Sequence, residues 1–190
     1  MPNHLINKKQ GGQKMNIKKK PNTAVQKVSV TSEGLTKKVV VSGIVAALYV
    51  ALTLAFAPLS FMTVQFRFSE LMTLLVFIDP GYGAGLILGC AIANFFSPLG
   101  IIDVVIGTLS TAAAVWGIKR SRSLFIATLW PTVSCILVGA EISYIYALPF
   151  VITTLSVMAG EFAVVTILGY PIFRWITKNK ALMKSLALSG

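Results

Sequence analysis

The apolar residues of this chain come in blocks of about 17 to 25, separated by short polar or Gly/Pro breaks, and that spacing limits the possible folds more than any other feature. A helix needs about 20 such residues to cross the hydrocarbon layer of a membrane. With 55% hydrophobic residues, 12% charged residues and a mean hydropathy of +0.78, the chain holds more apolar surface than one soluble core of 190 residues can bury. The pattern predicts an all-α membrane protein of six transmembrane helices, at about residues 37–57, 66–78, 82–96, 101–118, 124–148 (kinked at Pro131) and 150–176. The second and third are short and share the DPGYG turn, so they are the softest part of the count.

The expected organisation is a basic, disordered tail over 1–35, a transmembrane domain over 36–177 and a second basic tail over 178–190. The first tail is too long and too polar to be a signal peptide, and Met15, followed by NIKKK, offers an alternative translation start. A net charge of +11 would suit nucleic acid, but nine of the 17 Lys and Arg residues precede residue 39. Lys119, Arg120 and Arg122 lie between the fourth and fifth helices, and Arg174, Lys178, Lys180 and Lys184 lie at the end of the sixth. Only Arg67 falls on the other side of a six-helix arrangement. The positive-inside rule then places both termini in the cytoplasm of a multi-pass cell-membrane protein, and argues against a nucleic-acid partner.

Inside a membrane the informative residues are the costly ones, since a carboxylate at a helix centre is disfavoured by about 2.5 to 3.5 kcal/mol on insertion scales. Glu70, Asn94, Asp103, Glu141 and Glu161 all fall in the outer half of the expected topology. Gln65 and Arg67 stand at the same level, and Arg67 and Glu70 share a helix face by their i, i+3 spacing. The bland reading is that these groups pair with one another to hold the bundle together. Convergence of four acids favours an outward-facing pocket for a small flat ligand rich in N–H donors or carrying a cation, with Phe66, Phe68, Phe95, Phe96, Tyr144 and Tyr146 as nearby aromatics. Two stripes of small residues recur every four positions: Gly43, Ala47, Ala51 and Ala55, and Gly81, Gly85, Gly89 and Ala93. Such stripes serve either packing within the bundle or docking onto a membrane partner.

Catalytic signatures are absent. There is no GxxxxGK[ST] phosphate loop, the single histidine is His4, and Cys90 and Cys135 sit in apolar helices without CxxC spacing. No enzyme, metal site or cofactor is expected, and any work the chain does has to borrow energy or use a gradient.

Three motifs in order, VQFRFSE at 64–70, GLILGCAIANFFSP at 85–98 and DVVIGTLSTAAA at 103–114, resemble the QueT family. Members of that family are S components of energy-coupling factor (ECF) transporters, assigned to uptake of queuosine precursors, which are 7-deazaguanines. The resemblance covers about residues 37–176. It implies a six-helix S component that captures its ligand outside the cell and partners a transmembrane coupling protein and two ATPases. It further implies a substrate site drawn from Gln65, Arg67, Glu70, Asn94, Asp103, Glu141 and Glu161, and docking through the stripe that includes Gly43, Ala47 and Ala51. Ile102 stands where the family pattern often carries Trp. The alternatives are an S component for another vitamin, a stand-alone ion-coupled carrier using Glu161, and a membrane scaffold without a ligand.

Overall fold

A computed structural model describes residues 23–62 and 64–188, with side chains from residue 35 onward. The expectations for the first tail fall mostly outside that range. The chain divides into two units, Met1–Gly34 and Leu35–Gly190. Of the first, the described part is helical from Thr23. In the second, the helices are α1 (Leu35–Ala55), α2 (Phe68–Ile78), α3 (Gly83–Asn94), α4 (Ile101–Arg120), α5 (Leu124–Ile145), α6 (Phe150–Lys178) and α7 (Lys180–Leu186), and no strand occurs among the described residues.

Four of these, α1, α4, α5 and α6, are long and apolar enough to cross a membrane. The expectation of six spans is met at those four places only. Helix α3 has 12 residues, about 18 Å at 1.5 Å per residue, against a hydrocarbon layer of about 30 Å. The first seven residues of α2 form a tighter 3₁₀ coil. There Thr73 Oγ1 donates to the Glu70 carbonyl at 2.6 Å, a local bond that competes with the regular helical ladder. Asp79 and Pro80 end α2: the Asp79 backbone is extended, its side chain accepts from Gly81 N, and Pro80 starts a new turn.

The long helices deviate where their sequences require it. Pro131 lacks an N–H, and α5 breaks at Cys135 into two segments. Helix α6 passes through a π-helical stretch, Phe162–Gly169, immediately after Glu161.

Small residues set how closely the helices approach. A Cβ on Gly89 would lie 2.8 Å from Tyr49 Cβ and 3.0 Å from the Ala46 backbone, and one on Gly85 would meet the Ser42 backbone. The glycine stripe of α3 is therefore spent on packing against α1. The stripe of α1 is not: Gly43, Ala47 and Ala51 are exposed, and a Cβ on Gly43 would meet nothing within 4 Å. The largest apolar cluster gathers Tyr49, Leu74, Leu86, Cys90, Ile118 and Val165, with Phe173 and Leu188 toward the chain end.

At the end of the bundle that carries the 79–82 turn, polar groups find partners. Asp79 accepts from Gly81 N at 2.8 Å and from Leu188 N at 2.9 Å. Tyr82 donates to the Leu186 carbonyl at 2.7 Å, and Lys37 Nζ lies 3.5 Å from the Leu188 carbonyl. Within the second basic tail, residues 180–186 form α7, capped by Asn179, whose side chain accepts from Ala181 N and Leu182 N. Leu188 is buried against the bundle.

Candidate functional site

At the opposite end, the segment between α1 and α2 dips into the bundle. Phe66 N donates to the Leu59 carbonyl at 2.9 Å, and the Gln65 backbone rests directly on Gly160 of α6, where a Cβ would overlap it. Gln65 and Arg67 are buried as a result. The Arg67 guanidinium lies 5.5 Å from the centroid of the Phe61 ring, while its Nε and Nη2 have no hydrogen-bond partner.

Glu70 is held on several sides. Its Oε1 accepts from the Tyr49 hydroxyl of α1, and the Thr111 hydroxyl of α4 lies 3.1 Å from both that oxygen and Cys90 Sγ. Behind it, Thr53 and Ser69 hydroxyls pair at 2.7 Å. Three helices thus orient one carboxylate. Tyr49 and Thr111 escaped sequence reasoning. A tyrosine within an apolar span was the available signal, because a phenol in hydrocarbon needs a partner.

Asn94 ends α3 by donating from Nδ2 to the Asp103 carbonyl at 3.0 Å, and its Oδ1 has no partner. Gly107 makes room for that amide, since a Cβ there would collide with Asn94 Nδ2. The Asp103 carboxylate is fully buried, and neither of its oxygens is hydrogen-bonded. The same holds for both oxygens of the buried Glu141 on α5, and Oε1 of the buried Glu161 on α6 is also unpartnered.

A small cavity is lined by Gln65, Arg67 and Glu70 from one side, Gly107, Ser110 and Thr111 from α4, Pro131, Ser134, Cys135 and Val138 from α5, and Glu161 from α6. Its open volume is about 10 Å³, room for about one water. Asn94 and Asp103 flank it across Gly107, and Glu141 lies one turn beyond Val138. A second, larger cavity of about 420 Å³ lies at the same end, lined by Phe61, Met62, Leu99, Ile142, Tyr146 and Leu148. Of the expected aromatics, Tyr146 lines this outer cavity and Phe66 and Phe68 pack on the core. Phe95, Phe96 and Tyr144 project outward, as does Ile102.

A buried polar group without a partner costs about 1–3 kcal/mol, more when charged. Such groups recur here on Arg67, Asn94, Asp103, Glu141 and Glu161. A bundle held only by internal pairing would satisfy them. The arrangement is that of a multi-pass membrane protein with a cluster of buried polar groups among its apolar helices.

The family model for the QueT transporter matches residues 39–178, and the chain belongs to that family, which is one of transporters and not of enzymes. Among characterised relatives, the queuosine precursor transporter QueT of Lactococcus lactis subsp. cremoris (strain MG1363) is 29% identical over 145 residues, covering 67% of this chain and 85% of that protein. No solved structure matches the chain.

Proposed function

We propose that this protein is the substrate-capturing S component of an ECF-type importer for a queuosine precursor, a 7-deazaguanine. The observation that carries this reading is the set of buried, unpartnered groups around one cavity in a chain of a transporter family whose Lactococcus relative bears that substrate in its name. A deazaguanine presents adjacent N–H donors and a carbonyl. Glu70 takes the donors, and Arg67 or Gln65 serves the carbonyl. Asn94, Asp103, Glu141 and Glu161 complete the set.

In this reading the chain crosses the membrane six times, with α2 and α3 as two short, tilted passes and both termini in the cytoplasm, in keeping with its Lys and Arg distribution. The site then opens outward. The inner cavity has to widen by more than a water's volume to admit a bicyclic ring, so capture is coupled to movement of the bundle. The exposed face of α1, with Gly43, Ala47 and Ala51 beside Ile44 and Leu48, docks on the transmembrane coupling protein, and two cytoplasmic ATPases supply the energy.

Two measurements test this. Isothermal titration calorimetry on the detergent-purified chain should show selective binding of a 7-deazaguanine over thiamine; absence of binding by folded protein would refute the ligand assignment. Ala47→Leu should abolish uptake in cells that carry the coupling module and leave binding by the purified chain intact. Normal uptake by that variant would remove α1 as the docking face, and uptake without the ATPases would support an ion-coupled carrier instead.

A further inference from the structure

Resting on the reading above, we infer that the site has two tiers, and that the outer tier, Asp103 with Glu141, receives a positively charged substituent of the ligand. Along their helices both acids fall between residues that line the two cavities. Along α4 and the turn before it, Leu99 lines the outer cavity, Asp103 follows one turn later, and Gly107, Ser110 and Thr111 line the inner one. From Asp103 the succession to Gly107 and Ser110, i, i+4 and i+7, lies on one helix face. Along α5 the order runs the other way: Cys135 and Val138 line the inner cavity, Glu141 follows, and Ile142 and Tyr146 line the outer one. Helices α4 and α5 pack together along both segments of α5.

The acids of the two tiers are supported differently. Glu70 is fixed by Tyr49 and Thr111 before any ligand arrives, as a group that reads a ring edge requires. Asp103 and Glu141 are as deeply buried, yet all four of their oxygens are unpartnered. Arg67 is the one basic residue lining either cavity, so the site's acids outnumber its cations. An ammonium carries two or three N–H donors and one positive charge, and supplies what the outer tier lacks; a neutral nitrile supplies neither. Beyond the acids lies the cavity of about 420 Å³, walled by Phe61, Met62, Tyr146 and Leu148. A carbon substituent on the ligand nitrogen would extend into it without displacing the charge.

The experiment compares three probes by calorimetry on the full purified chain: 7-aminomethyl-7-deazaguanine, its N-alkylated secondary amine and 7-cyano-7-deazaguanine. The wild-type chain should bind both amines roughly 10- to 100-fold more tightly than the nitrile, the range of a charge-assisted hydrogen bond. Glu141→Gln and Asp103→Asn should each shrink that preference to about threefold or less by weakening the amines, with nitrile affinity little changed. Equal binding of amine and nitrile by the wild-type chain would overturn the inference and leave deazaguanine capture standing. So would full amine preference in both variants. Rejection of the secondary amine alone would remove the outer cavity from the site. Failure of all three probes to bind folded wild-type protein would refute deazaguanine capture and this inference with it. The wild-type comparison holds whether or not the variants fold.

Discussion

The two ends of this bundle treat their polar groups in opposite ways. Where the 79–82 turn meets α7, Asp79 accepts two backbone bonds, Tyr82 donates to Leu186, and Asn179 caps α7. Where the 65–67 segment enters, Arg67, Asn94, Asp103, Glu141 and Glu161 are buried with atoms that bond to nothing. Both arrangements use a few acids and amides in apolar surroundings, so composition does not separate them. Satisfaction does. A satisfied buried group contributes to stability, whereas an unsatisfied one costs stability and is maintained only where function requires it. On the proposed function, one end is construction and the other recognition.

Substitutions that break the contrast should differ in sign as well as size. The largest effect is expected at Gly89, where a side chain would drive into Tyr49 and the Ala46 backbone: Gly89→Val should cost about 3 kcal/mol through overpacking, measured by thermal unfolding in detergent. Next comes Asp79→Ala at the closed end. It orphans the Gly81 and Leu188 amides and should lower stability by about 2 kcal/mol without changing ligand affinity. Tyr49→Phe removes one of the two donors to Glu70 Oε1 and should cost about 1 kcal/mol of stability while also weakening binding severalfold. The smallest stability effect, and the reverse one, is expected of Asp103→Asn. Relieving an unpaired buried carboxylate should raise the unfolding temperature slightly, by about 0.5 kcal/mol in stability terms, while affinity for the aminomethyl ligand falls roughly three- to thirtyfold. A destabilised Asp103→Asn with unchanged binding would make that end structural too, and dissolve the comparison.

Much of the frame was legible because solvent sets it. Apolar blocks, Gly/Pro breaks and Pro131 mark the four long helices and the interruption in α5 directly. The shortness of α2 and α3 was legible as well, but Thr73 bonding back to Glu70 and Asp79 capping the turn at Gly81 are side-chain choices that hydropathy does not register. The costly polar positions were visible as well, since each stands out from its apolar neighbours. Their grouping around one cavity was less so, because it depends on close approaches such as Gln65 over Gly160 and Asn94 over Gly107. Nor does spacing tell which small-residue stripe faces inward. Gly85 and Gly89 pack on α1, Gly43 and Ala47 face outward, and both stripes have the same period. The supporting roles of Tyr49 and Thr111 are fixed by contacts across three helices, with sequence separations of 21 and 41 from Glu70.

The central claim is that the unsatisfied end is completed by a ligand, and thermal unfolding of the purified chain with and without 7-aminomethyl-7-deazaguanine tests it most directly. At a ligand concentration about 100 times Kd, the account requires the wild-type protein to gain about 2.7 kcal/mol, a rise of several degrees, and Asp79→Ala to gain as much from its lower starting point. The Asp103→Asn variant should gain far less at that same concentration. An unfolding temperature that ligand leaves unmoved in wild-type protein, or moves equally in Asp103→Asn, would contradict it.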